Sequence, residues 1–134
     1  MAMLRTEKLA VQTEEDVVRV RQVVRSCSVQ LRFSLVDQTK IVTAASELAR
    51  NTLVHGGGGI VEVEAVEQGG RRGLRLTFED HGPGIADIEA ALKDGFTTGN
   101  GLGLGLGGAK RLVNDFEVQS VPGHGTVVRV ARWT

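Results

Sequence analysis

The sequence predicts an α+β fold: a two-layer sandwich with helices on one face of a mostly antiparallel sheet. Three observations predict it. Strand and helix periodicities follow one another in the order β-α-α-β-β-α-β-β. The strands come largely as hairpins closed by glycine-rich turns, and hairpins supply antiparallel neighbours. Nothing divides the chain into two domains, so the helices are expected on one face of a single sheet.

Each element has its own signal. Glu7 to Gln12 alternates in part and is short, as an edge strand would be. Thr13-Glu14-Glu15-Asp16 is a capping box, with Thr13 as N-cap and Asp16 at the third helical position. Val17, Val20, Val24 and Leu31 then recur at helical spacing, which predicts a helix from about Glu14 to Leu31. Ser34-Leu35-Val36-Asp37 repeats the cap and opens a second helix through Ile41, Ala45, Leu48, Ala49 and Thr52, stopping before Gly56. Ile60–Glu67 and Gly73–Glu79 predict strands joined at Gln68-Gly69-Gly70-Arg71; in the second, Leu74, Leu76 and Phe78 alternate with Arg75, Thr77 and Glu79. Residues 86–98 suggest a short lid. A third helix is expected over Leu106–Asn114, then a last hairpin of Phe116–Val121 and Thr126–Trp133 around Val121-Pro122-Gly123-His124-Gly125.

The composition narrows the classes. A chain of 134 residues with 41% hydrophobic and 24% charged residues is expected to form one soluble domain, residues 1–134. A net charge of +0 argues against nucleic acid or an anionic membrane as partner. No apolar run reaches membrane-spanning length, and the start has no signal-peptide core. The one cysteine, Cys27, excludes an internal disulfide and fits a reducing cytoplasm, with Cys27 as a packing residue.

The densest information lies in Gly99-Asn100-Gly101-Leu102-Gly103-Leu104-Gly105-Leu106-Gly107-Gly108. A linker would mix glycine with serine, whereas alternating leucine needs an apolar surface to pack on. Bare N–H groups followed by a helix suit a phosphate cradle. Two familiar cradles do not fit. The G-x-G-x-x-G match at 103–108 has no strand before it and glycine, not an acid, at position 123; the NTPase loop needs Gly-Lys-Ser/Thr, and Ala109 separates Gly108 from Lys110.

Two further groupings bear on chemistry. Glu47, Asn51 and His55 lie four apart and share one helix face, either a solvated stripe or part of a site. Asp80-His81-Gly82-Pro83-Gly84-Ile85 follows a strand, either as a plain turn or as a carboxylate held by the sheet that accepts from an exocyclic amine. The histidines have no zinc spacing. Lys110 and Arg111 either reach phosphate or face water, and His124 is read as a solvated turn residue.

Taken in order, Glu47-x-x-x-Asn51, Asp80-x-Gly82-x-Gly84, Gly101-x-Gly103-x-Gly105 and Gly123-His124-Gly125-Thr126 resemble the boxes of the gyrase, Hsp90, histidine-kinase and MutL (GHKL) ATPase superfamily. The chain is also similar in size to the free-standing anti-sigma-type serine/threonine kinases of that superfamily. Ser46–Asn51, Glu79–Ile85 and Gly101–Leu106 resemble the switch kinases of bacterial stressosomes, with departures at His81 and at Gly107, where relatives often carry proline.

The resemblance implies a Bergerat-type ATP site in a cytoplasmic protein kinase. Adenine would lie on Asp80, beside Gly82, Gly84 and Ile85, with Thr126 either bonding it through water or serving as an ordinary strand residue. Asn51 would hold Mg²⁺, and Glu47 would act as base toward the substrate hydroxyl. The phosphates would lie over Thr97, Thr98, Gly99, Gly101, Leu102, Gly103, Leu104 and Gly105. His55 would either touch the terminal phosphate or pack at the helix end. The implied partners are a STAS-domain protein substrate and a PP2C-type phosphatase; the alternative is an anti-sigma factor that sequesters a sigma factor, with ATP as conformational ligand.

Overall fold

In the computed structural model, which describes residues 1–92 and 106–134, the chain runs β1 (Ala2–Val11), α1 (Glu14–Gln30), α2 (Leu35–Val54), β2 (Gly59–Gln68), β3 (Arg71–Asp80), α3 (Ile88–Ala91), α4 (Leu106–Arg111), β4 (Asp115–Val121) and β5 (Gly125–Trp133). The five strands form one antiparallel sheet in the order β1-β2-β3-β5-β4.

The helices start where their caps place them. Thr13 Oγ1 accepts from Asp16 N at 3.1 Å, and the Asp16 carboxylate accepts from Thr13 N at 3.2 Å, completing the capping box of α1. Ser34 Oγ does the same for α2, accepting from Asp37 N at 3.1 Å. Val17, Val20 and Val24 of α1 and Ile41, Ala45 and Leu48 of α2 point into a core shared with Val61, Val63, Leu74, Leu76, Phe78, Val128 and Val130 of the sheet. Each large apolar side chain buried there contributes about 1.5–3 kcal/mol. Cys27 is buried among these residues, and that burial pushes its thiol pKa up, which keeps it protonated and inert.

Three elements depart from the expectation. β1 begins at Ala2, not Glu7, because its backbone pairs with β2 from Ala2↔Glu67 to Val11↔Gly59, with an irregularity between Met3 and Arg5. Its first five residues are all exposed, so no apolar alternation announces them. A one-turn helix, α3, stands within the segment read only as a lid, started by Asp87, whose carboxylate accepts from Ala90 N at 3.0 Å. α4 ends at Arg111 rather than Asn114. Arg132 Nη1 takes the Leu112 carbonyl at 3.0 Å, and Asn114 joins the sheet, its N–H donating to Ala131 O at 2.9 Å and its side chain accepting from Trp133 N at 2.7 Å.

The face of the sheet away from the helices carries polar pairs. Arg75 donates to both carboxylate oxygens of Glu64, at 3.0 and 3.1 Å, a bidentate bond that allows Glu64 to be buried. Among the described residues, Asn51, His55 and Asp80 lie elsewhere, where the C-terminal half of α2 meets the end of β3.

Candidate active site

α2 lays out the first part of the site. Glu47 and Asn51 stand one turn apart on the helix, and His55 is its C-cap. Ala44, Ala45, Leu48 and Ala49 form the neighbouring face and are fully or almost fully buried, which holds the helix flat on the sheet. The polar stripe crosses from solvent into the protein: Glu47 is exposed, Asn51 is buried and His55 is half-buried. A solvated helix face does not explain a buried Asn51.

Asn51 has an unusual electrostatic position. Its backbone carbonyl accepts from His55 N at 2.9 Å and Gly56 N at 3.2 Å, closing the helix. Its side-chain Oδ1 is buried and, among the described residues, has no hydrogen-bond partner. An orphaned acceptor of this kind costs about 1–3 kcal/mol. A hard divalent cation takes amide oxygen as a ligand, so this oxygen would fit an ion such as Mg²⁺.

Asp80 closes the other side. It ends β3 in register with Gly59 on β2 and Thr126 on β5, so the sheet fixes it from both flanks. Its carboxylate is buried, and Oδ1 accepts from Gly82 N at 2.9 Å. The backbone of Gly56 passes beneath it: a β-carbon at 56 would stand 2.4 Å from Asp80 Cγ, a distance no real contact reaches. Gly125, at φ +108°, lies so near the Asp80 carbonyl that a β-carbon would meet it at 2.1 Å. Glycine at 56 therefore lets the chain leaving α2 lie against the Asp80 carboxylate, and glycine at 125 lets the β4–β5 turn lie against the Asp80 main chain.

The floor around Asp80 is tied together by Ser120. Its hydroxyl accepts from Ile85 N at 2.7 Å and lies 3.1 Å from Gly125 O and 2.9 Å from Thr126 Oγ1. This fastens the Gly82–Ile85 loop to the β4–β5 hairpin. His55 Nε2 contacts Gly84 O at 3.3 Å and fastens the same loop to the end of α2. Asp80, Ser120 and Thr126 share the wall of a cavity of about 200 Å³ at the ends of β3, β4 and β5.

Asn51, His55, Asp80, Gly82, Gly84, Ile85 and Thr126 are thus gathered around the junction of α2 with the β3 and β5 ends, and Glu47 lies one turn outward on α2. Thr97, Thr98, Gly99, Gly101, Leu102, Gly103, Leu104 and Gly105 lie outside the described residues. His124 is exposed in its turn, and Lys110 and Arg111 are exposed in the last turn of α4. Gly56 and Ser120 were not legible as site residues. Gly56 stands in a run of four glycines that reads as a turn, and Ser120 sits in a strand pattern without a motif.

A site assembled from a helix stripe and a sheet-end aspartate defines a class. Residues 36–133 match the family of histidine kinase-, DNA gyrase B- and HSP90-like ATPases, and the chain belongs to that family. It is 46% identical over 123 residues to the serine/threonine-protein kinase RsbT of Bacillus subtilis, covering 92% of each chain. It is 33% identical over 119 residues to the anti-sigma F factor of Thermoanaerobacter sp., covering 84% of this chain and 82% of that one. Two solved structures share the fold. The RsbU and RsbW domains of a Mycobacterium tuberculosis protein superpose with a TM-score of 0.66 at 21% identity, over 96% of this chain and 32% of that one. The catalytic domain of the histidine kinase ThkA superposes with a TM-score of 0.53 at 13% identity, over 96% and 95%.

Proposed function

We propose that this chain, a protein serine/threonine kinase of the ATPase family above, phosphorylates a serine or threonine of a STAS-domain protein in a partner-switching circuit. The observation that carries the reading is the buried Asn51 Oδ1, without a partner among the described residues, one helical turn from the exposed carboxylate of Glu47. One group waits for a cation and the other is open to an incoming substrate.

Each residue then has a part. Asp80 receives the exocyclic amine of adenine, with Gly82, Gly84 and Ile85 leaving room for a flat ring and Thr126 beside it. Asn51 holds Mg²⁺, which when bound neutralises phosphate charge. Glu47 accepts the proton of the acceptor hydroxyl. The glycine-rich stretch 99–105, with Thr97 and Thr98, supplies the phosphate donors. His55 holds the Gly84 loop in place.

Once phosphorylated, the substrate releases the kinase, which then activates a PP2C-type phosphatase. The setting is cytoplasmic; among the described residues no helix is long and apolar enough to cross a membrane. The test is incubation with Mg²⁺, γ-labelled ATP and a STAS-domain protein, followed by mass-spectrometric mapping. Phosphoserine or phosphothreonine on the partner is the expected result, and histidine phosphorylation or none overturns it.

The likeness to an anti-sigma F factor favours one second reading: sequestration of a sigma factor, with ATP as conformational ligand. A nucleotide-dependent complex with a sigma factor, without phosphate transfer to any STAS partner, would select it.

A further inference from the structure

A cavity of about 430 Å³ lies between α1 and α2, away from the adenine side of the site. Val18, Arg21 and Arg25 form one wall, and Thr43, Ser46 and Glu47 the other. The proposed catalytic carboxylate is thus one end of a groove, and the groove's character is set by two guanidinium groups.

Several arginines of this chain are held by carboxylates, whereas Arg21 and Arg25, like Arg19 and Arg32, have no ion pair among the described residues. Arg50 is paired with Glu14 at 3.0 Å, Arg132 with Asp37, and Arg75 with Glu64 at 3.0 Å. Arg21 and Arg25 are exposed, and among the described residues neither has an ion pair or side-chain hydrogen bond. They stand one turn apart on the same helix, where like charges repel. Nothing in the fold needs them there.

The antiparallel packing of the helices gives the groove a direction. The Glu14–Arg50 ion pair pins the start of α1 to the end of α2. Passing from Val18 to Arg21 and Arg25 therefore leads away from Asn51, toward the start of α2. Beyond Arg25, three apolar side chains stand in water: Val29 at 54%, Leu35 at 72% and Val36 at 62% exposure. The groove thus holds a carboxylate and two cations, and exposed apolar side chains follow outside it, at the end of α1 and the start of α2.

We infer that this groove docks the phosphoacceptor segment of the protein substrate, and that Arg21 and Arg25 select a segment carrying carboxylates on one side of the acceptor hydroxyl. The occupant is an acidic stretch with an apolar residue beyond it. Charge complementarity carries the choice: two unpaired guanidiniums beside a carboxylate that must receive a hydroxyl favour an anionic chain that leaves its neutral hydroxyl at Glu47. The arginines are about 6 Å apart along the helix, and an extended chain covers that in about two residues. Two carboxylates on alternate residues therefore meet both.

This inference rests on the kinase reading, and the experiment separates the two. The probe is a purified STAS-domain protein, tested with the wild-type chain and with Arg21→Glu/Arg25→Glu. Both positions are exposed, so the variant should fold, and its Mg²⁺-ATP affinity should match wild type within twofold. The KM for the STAS protein should rise at least tenfold with kcat within threefold, and complex formation by titration calorimetry should weaken at least tenfold. Charge reversal of the substrate's acidic residues should restore much of the loss. Equal KM and equal affinity in wild type and variant overturn the groove assignment, as does absence of any complex with wild type. A complex that weakens in the variant while the wild type transfers no phosphate upholds the groove and removes the kinase reading. Loss of a self-associated dimer in the variant, with partner binding unchanged, assigns the groove to a second copy and overturns the inference.

Discussion

Gly56 lies so close beneath Asp80 that a methyl group on its α-carbon would stand 2.4 Å from the carboxyl carbon and 2.6 Å from Oδ2. The loop leaving α2 and the end of β3 therefore share one space, and the orientation of the carboxylate depends on residue 56 having no side chain. Gly56→Ala should push Asp80 out of position. The expected loss in ATP affinity is more than tenfold by calorimetry, with about 1–3 kcal/mol lost from stability by overpacking. Asp80→Asn keeps the shape and should lose affinity with little change in thermal midpoint. Normal ATP binding by both variants would remove Asp80 as the adenine contact.

Asn51 leads to the opposite pattern of stability and binding. Its Oδ1 makes no bond among the described residues, so Asn51→Ala removes an unsatisfied acceptor and should leave the unfolding midpoint close to wild type. Binding should suffer instead. Wild type should bind ATP more tightly in Mg²⁺ than in EDTA, and the variant should show no such difference. A Mg²⁺ dependence that survives Asn51→Ala excludes this residue as the metal ligand.

Glu47 stands in solvent on the outer turn of the same helix, so its replacement should not disturb the core. Glu47→Gln should bind Mg²⁺-ATP as wild type does, yet transfer phosphate to the STAS partner 10²–10⁴-fold more slowly, roughly the contribution of a positioned general base. Single-turnover transfer with saturating partner is the measurement. A rate within a few-fold of wild type would show that the hydroxyl needs no base here.

Helices and caps were legible because local chemistry decides them. Thr13 with Asp16 and Ser34 with Asp37 are contacts within one turn, and the valines of α1 repeat at the helical period. Glu47, Asn51 and Asp80 stand out as candidates through the order of the boxes they share with the GHKL superfamily; the helix stripe and the turn alone leave a solvated face and a plain turn open. What escaped was decided by distant partners. The first half of β1 has exposed side chains and is held by its bonds to β2. The end of α4 is set by Arg132, reaching Leu112 from β5, and Ser120 acquires its place from Ile85, 35 residues earlier. Gly56 looks like turn glycine until Asp80 is seen above it. That Arg21 and Arg25 line one cavity with Glu47, and have no ion pair among the described residues, likewise emerges only from the packing of α1 against α2.

Asp37, in the first turn of α2, connects that helix to β5 and gives stability a pH dependence. Arg132 donates to its carboxylate from Nε at 3.0 Å and also through Nη2. The Arg132 hydrogen bond is the main cause holding the Asp37 pKa below its ordinary value; burial opposes it, and the Ser34 hydroxyl and the charges of Arg132 and Lys40 assist. A carboxyl with a lower pKa folded than unfolded adds stability that is present above the unfolded value, near 4, and is lost as pH falls through the folded value. With 25% of the Asp37 side chain and 14% of the Arg132 side chain exposed, solvent screens the pair, and about 1 kcal/mol is a reasonable scale. Asp37→Asn should thus be less stable than wild type by about that amount at pH 7 and at pH 5, as read from urea unfolding. The gap should narrow as pH falls below the unfolded value and close once pH has passed below the folded one. A gap of unchanged size there would mean that Asp37 stabilises the fold through its shape and not its charge.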